Sequence, residues 1–250
     1  MQAAAASNLK RVALELGGKS PQIVLDDCAD LDAAASAIAW SIFYNCGQTC
    51  HAGSRLIVHK SIANDLYDRI RSVSESLKMG HPLDPDTQIG ALADPIQYDR
   101  VMSFLELANV EGGTVHFGGR SAKVVPGGCY IQPTMVKNVR NDTRIASEEI
   151  FGPLLVTIEF DTDDEALALA NQTKYGLAAS IWTSDINRAH RFSENLVAGT
   201  VWVNTYDQSS MSTPFGGFKH SGFGRDRSPH AIDKYTDLKT VWTHFGGAGS

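Results

Sequence analysis

Apolar positions along the chain recur at two different periods. Ile62, Leu66, Ile70, Val73 and Leu77 fall at a spacing of about 3.6, and Gly80 closes the run, so residues 62–77 predict an amphipathic helix. Residues 30–46 carry an aspartate near their start and Gly47 just past their end. They predict a second helix, with Ala34, Ile38, Ser41, Ile42 and Asn45 on one face. Further helices are expected over 95–110, where Pro95 suits a first turn, from Thr162-Asp163-Asp164-Glu165, over 185–196, and briefly over 229–235. Short β-branched runs predict strands at 12–16, 22–25, 55–59, 114–117, 130–136, 154–160, 177–183, 199–204 and 239–244. Residues 81–95 are a polar loop holding three prolines. Strand and helix alternate through the second half at the spacing of parallel βαβ units. The expected fold is therefore α/β, a mostly parallel open sheet flanked by helices.

Composition narrows the function classes. The chain has 250 residues, 43% hydrophobic and 20% charged, which excludes disorder and suits a sizeable core. Its 22 basic and 28 acidic residues give a net charge of −6, so no basic field exists to attract nucleic acid or an anionic membrane. The longest apolar stretch, 33–44, falls short of the ~20 residues a membrane helix needs. Four cysteines without a CxxC pair suit neither a disulfide scaffold nor a zinc ribbon. Residues 1–8 lack a cationic and then apolar leader, so the expected compartment is the cytoplasm. No G-x-G-x-x-G follows a strand and no G-x-x-x-x-G-K-[ST] occurs, hence no self-contained nucleotide loop is expected.

The segment richest in chemistry is Phe43-Tyr44-Asn45-Cys46-Gly47-Gln48-Thr49-Cys50-His51-Ala52-Gly53-Ser54-Arg55. Cys50 lies in a loop between a helix and a strand, where a thiol can be reached by substrate and can accept hydrogen bonds from loop N–H groups. The competing reading is an ordinary packed thiol, which is what Cys46 is expected to be. A metal cluster of Cys46, Cys50 and His51 lacks further ligands.

The stretch Asn45-x-Gly47-Gln48-x-Cys50-x-Ala52-x-x-Arg55 resembles the active-site cysteine motif of the aldehyde dehydrogenase superfamily. Three further stretches resemble other signatures of that family, in the same order: Leu14-Glu15-Leu16-Gly17-Gly18-Lys19-Ser20-Pro21, Glu148-Glu149-Ile150-Phe151-Gly152-Pro153, and Pro214-Phe215-Gly216-Gly217-Phe218-Lys219 with Ser221-Gly222 and Gly224-Arg225. The resemblance implies that Cys50 is the nucleophile. It would attack an aldehyde, give up a hydride to nicotinamide, and leave a thioester for water to hydrolyse. The resemblance further implies that Glu15 is the general base for thiol and water, with a pKa near neutrality that Leu14 and Leu16 would provide by partial burial. Glu149 would hold the nicotinamide ribose hydroxyls, Phe151 would pack beside the nicotinamide, and the Cys50 N–H would serve as one oxyanion donor. Phe215 with Gly216-Gly217 would shape the substrate tunnel.

Family members are roughly twice this length. The resemblance therefore implies that residues 1–17 are the end of a cofactor-binding domain and 18–222 the catalytic domain. Residues 223–250 would return to the cofactor domain and form an oligomer-contact strand in a homo-oligomer. NAD or NADP belongs to the full-length parent, and this chain is expected to bind neither tightly nor to oxidise aldehydes. Residues 201–217 with 224–231 are similar to the γ-glutamyl-γ-aminobutyraldehyde branch, departing from it at Gln208-Ser209-Ser210. A polyamine-derived ω-amino or γ-glutamylamino aldehyde is the expected substrate, with Asp207 as an attractant for a cationic one. The alternatives are betaine or a general aliphatic aldehyde, a non-catalytic oligomerising module, and a cysteine hydrolase. The last needs a histidine base, a part for which neighbouring His51 is expected to be wrongly placed.

Overall fold

The computed structural model describes residues 2–246. The chain starts with α1 (Gln2–Ala5), a short 3-10 turn and β1 (Leu14–Glu15). It continues through β2 (Pro21–Val24), α2 (Leu31–Phe43), β3 (Arg55–His59), α3 (Ala63–Ser76), α4 (Pro95–Val110) and β4 (Thr114–Phe117). Then follow β5 (Thr134–Lys137), α5 (Arg144–Ser147), β6 (Leu154–Phe160), α6 (Asp163–Asn171), β7 (Ala178–Trp182), α7 (Ile186–Asn195), β8 (Thr200–Val203) and β9 (Gly222–Phe223). Seven strands make one sheet in the order β4-β5-β6-β3-β2-β7-β8. Every neighbouring pair in it is parallel except β4 with β5. Separately, β1 and β9 form an antiparallel ribbon that ties residue 15 to residue 222.

The continuous apolar runs follow from this topology. The inner strands β2, β3, β6 and β7 are covered on both faces, so alternation has no purpose there. Ile38, Ile42, Leu66 and Ile70 from α2 and α3 join Leu56, Val58 and Val156 on one side, while Phe192 and Ala166 join Ile23 and Ile181 on the other. The anticipated helix starts are capped by side chains: Asp30 accepts from the Ala33 N–H, Asp94 from Gln97, and Thr162 from Glu165. No helix among the described residues is long and apolar enough to cross a membrane.

Three expectations are corrected. The helix read over 30–46 stops at Phe43, because Asn45 and Cys46 adopt left-handed φ values of 49° and 57° in a 3-10 turn, which leaves Asn45 exposed. The strand read over 130–136 begins only at Thr134; Pro133, which has no N–H to give a ladder, stands before it. Residues 239–244 form no strand. A strand exists by pairing, and among the described residues none pairs with that segment, where Val241 and Trp242 are exposed.

Candidate active site

The four motif segments, far apart in sequence, meet at one end of the sheet. They occupy the loops entering β2, β3 and β6, together with the segment around β9. Gly17 and Gly18 are the point of closest approach. A Cβ at Gly17 would collide with the Glu149 carboxylate, and one at Gly18 would stand 2.7 Å from the Cys50 carbonyl oxygen. The Gly18 N–H donates to Glu149 Oε1 at 3.2 Å, and Ser221 donates to the Gly17 carbonyl at 2.7 Å. Gly47, at φ +71°, lets the cysteine segment lie against the Gly152 carbonyl, which no side chain would permit.

Cys50 is half-buried on the loop that folds back onto the last turns of α2, where the Gly53 N–H donates to the Ser41 carbonyl. Its own N–H has no partner among the described residues, so it is free to donate to an oxyanion. Cys46, by contrast, is buried and its thiol contacts the Gly90 carbonyl at 3.2 Å. Burial pushes that thiol up, which keeps it unreactive, as expected of a packing residue.

Glu15 lies on β1, and a Cβ at Gly216 would come within 2.8 Å of its Oε1. It makes no hydrogen bond to Cys50. Partial burial and the Asp226 carboxylate push its pKa up, against the pull of Lys234 and Arg225. The direction matches the expectation, but Leu16 is exposed, and the Asp226 carboxylate adds to the effect of burial.

Glu149 and Phe151 are braced by α4. Arg100 donates to the Glu149 carbonyl at 2.7 Å, and the Gln97 amide donates to the carbonyls of Ile150 at 2.9 Å and Phe151 at 2.6 Å. Phe151 is held at φ 61°, a conformation few aromatic residues adopt, and the residue stays 38% exposed. Glu149 Oε1 is taken by Gly18, while Oε2 has no partner among the described residues. Burial raises its pKa, offset by the Gly18 N–H, Lys19 and Arg100. An unspent carboxylate oxygen beside an open aromatic face fits the ribose and ring of a nicotinamide.

The sequence reading missed what surrounds Asp207. This carboxylate is not free: His51 Nε2 donates to Asp207 Oδ1 at 2.9 Å. The other ring nitrogen, Nδ1, stands 3.8 Å from Cys50 Sγ, so a histidine adjacent in sequence does reach the thiol. The Tyr206 hydroxyl donates to the His51 carbonyl at 2.5 Å. Phe215 meets the His51 ring edge-on at a centroid distance of 5.8 Å. Burial disfavours charge on His51, but its bonds to Asp207 and Cys50 outweigh that and push its pKa up to about 9. The same bond holds Asp207 below the usual carboxylate range.

The sequence motifs likewise do not single out Lys19. It is 1% exposed and its Nζ finds no hydrogen-bond partner among the described residues. Burial and the nearby Arg55 bring its pKa down to about 7, resisted by Glu149 and Glu148.

Comparison with known proteins matches this arrangement. The model described as "Aldehyde dehydrogenase family" matches residues 1–241. The chain is 47% identical over 236 residues to the NADP/NAD-dependent aldehyde dehydrogenase PuuC of Escherichia coli (strain K12), covering 94% of this chain and 47% of that protein. It is 44% identical over 245 residues to a betaine aldehyde dehydrogenase of Rhizobium johnstonii, covering 98% of this chain and 50% of that protein. A solved gamma-glutamyl-gamma-aminobutyraldehyde dehydrogenase from Burkholderia cenocepacia J2315 superposes with a TM-score of 0.92 at 52% identity, over 96% of this chain and 48% of the other. The chain thus spans about half the length of the curated relatives it matches.

Proposed function

The chain belongs to the aldehyde dehydrogenase family, and from that premise we propose that it supplies the catalytic half of an NAD(P)-dependent aldehyde oxidation with Cys50 as nucleophile. The observation that carries this is the convergence on Gly17–Gly18 of the Cys50 loop, Glu149 and the segment bearing Glu15. In this reading Cys50 Sγ adds to the aldehyde carbonyl, and the free Cys50 N–H steadies the oxygen as it gains charge. Glu149 Oε2 and the Phe151 ring would hold the nicotinamide end of the cofactor. A bound nicotinamide would supply the acceptor for the hydride leaving the carbon attached to sulfur. The acyl group then rests on Cys50 as a thioester, and Glu15, its pKa raised, draws a proton from the water that hydrolyses it. Residues 18–222 hold every residue of this reaction except Glu15, which the β1–β9 ribbon brings back to it. No phosphate-cradling loop occurs among the 250 residues, so a polypeptide limited to them is expected to hold NAD(P) weakly and to turn over no aldehyde.

For the substrate we propose an acylated amino aldehyde of the γ-glutamylamino kind. The likeness to the proteins above supports the aminoaldehyde class. The His51–Asp207 pair cancels the loop's negative charge, which weakens the case for a free ammonium or betaine substrate. The test is kcat/KM on the full protein for γ-glutamyl-γ-aminobutyraldehyde, betaine aldehyde and hexanal. The first is expected to be highest. A preference for betaine aldehyde would overturn the substrate assignment, and turnover surviving in Cys50→Ala would overturn the mechanism.

A further inference from the structure

We infer that His51, oriented by Asp207, takes the proton of the Cys50 thiol and holds the resulting thiolate as an ion pair. This deepens the reading of Cys50 as nucleophile and rests on it. The step is balanced: the proton leaves Sγ for His51 Nδ1, its S–H bond pair stays on sulfur, and Asp207 accepts the Nε2–H throughout.

Four observations support it. The relay is continuous, with Nδ1 3.8 Å from Sγ and Nε2 2.9 Å from Asp207 Oδ1. Its geometry is confined, because the Tyr206 hydroxyl pins the His51 carbonyl and the Phe215 and Trp202 rings flank the imidazole at 5.8 and 6.3 Å. No other base touches the thiol among the described residues, since Glu15 is turned toward Gly216. Finally, α2 runs toward the cysteine loop with its C-terminus leading, so its dipole gives a thiolate no help; the stabilising cation must be a side chain.

The charged groups around His51 are consistent with an imidazolium at neutral pH. They are Cys50 on its own loop, Asp207 after β8, and Arg227, which stands over the Phe215 ring at 5.3 Å and acts on Asp207. Together these groups hold the imidazolium proton until about pH 9. His51 touches the reacting sulfur and is a catalytic residue in this scheme; Asp207 acts through it and is a positioning residue.

The test is the rate of Cys50 alkylation by iodoacetamide on the full protein without cofactor, from pH 5.5 to 9.5, followed by peptide mass mapping. The variants are His51→Gln, Asp207→Asn and Asp207→Glu. At pH 6.5, His51→Gln is expected to react about tenfold more slowly than the native protein, and the gap should close toward pH 9.5. Asp207→Asn should show a smaller deficit of the same shape, and Asp207→Glu should recover part of it. Equal rates at pH 6.5 with unchanged circular dichroism overturn the relay and leave the nucleophile standing. A deficit that is equal at all pH values also overturns it, as a merely structural effect. Should His51→Gln not fold, the Asp207→Asn profile decides by the same criteria. If Cys28 or Cys129 is alkylated and native Cys50 is not, the nucleophile assignment itself falls.

Discussion

Arg55 and Lys19 are both cations shut away from water, at 0% and 1% exposure, yet the fold treats them in opposite ways. Arg55, at the start of β3, donates to Asn141 Oδ1, the Leu169 carbonyl and the Ala170 carbonyl, all at 2.8 Å. It thereby satisfies the last turn of α6, whose carbonyls would otherwise be orphaned. Lys19, just ahead of β2, has no such partner and lies by Glu149. Arg55 is therefore a structural tie within the fold, while Lys19 is an unspent group at the site. Motif membership alone did not separate them, since both belong to the signatures that gave the family away. Burial and the count of satisfied protons do.

The largest test of this contrast is direct replacement. Arg55→Met should lower the unfolding free energy by about 3 kcal/mol, because three acceptors lose their donor inside the core. Lys19→Met should raise stability, since it orphans nothing and removes a charge that burial disfavours. Urea unfolding measures both, and a loss in Lys19→Met as large as that in Arg55→Met would break the contrast.

The next test uses pH. Lys19 has a folded pKa near 7, below its unfolded value of ~10.4, so between those values the unfolded chain binds more protons and stability rises with pH. His51 is the reverse: its folded pKa near 9 exceeds ~6.5 unfolded. Its stabilisation is complete below pH 6.5 and is lost as pH climbs through 9. The proton that the folded pair keeps on His51 stays on sulfur in the unfolded chain up to ~8.5, so the two trends oppose chiefly between about pH 8.5 and 9, each worth up to about 1.4 kcal/mol per pH unit. His51→Gln should then expose a rising stability and Lys19→Met a falling one. Equal slopes in the two variants would show that one of these assignments is wrong.

The smallest expected effect sharpens the structural side. Asn141 both accepts from Arg55 and donates to the Leu169 carbonyl and to Gln172 Oε1. Asn141→Ala should cost about 1 kcal/mol, and combined with Arg55→Met the losses should add to less than their sum. Full additivity would mean that the two do not act as one cluster.

Much of this architecture was legible before any coordinates. The strands at 55–59 and 154–160 and the helix at 95–110 emerge with unchanged bounds, because an inner parallel strand and a proline-started helix leave strong local signals. Where the reading slipped, the cause was non-local or stereochemical. Pro133 cuts a run that is apolar enough for a strand, and left-handed Asn45 and Cys46 end a helix whose apolar face carries on. Residues 239–244 have strand composition without a neighbour to pair with among the described residues. In the site, the motifs named Cys50, Glu15 and Glu149. His51 was passed over because adjacency in sequence suggested a side chain directed elsewhere. Its engagement depends on Asp207, 156 positions away, which no local pattern can report.

The motif loops enter β2, β3 and β6, so the site sits at the end where the parallel strands begin. Doubly wound sheets ordinarily seat ligands at the opposite end, where helix N-termini gather and welcome phosphates. At this end the helices arrive rather than depart: α2 leads into the cysteine loop and α5 into the Glu149 turn. Their closing carbonyls give the rim a negative bias. A neutral carbonyl compound enters such a rim without electrostatic penalty, whereas a carboxylate carries the same sign as its surroundings. Strand direction alone thus makes this end of the sheet more hospitable to a neutral carbonyl compound than to a carboxylate.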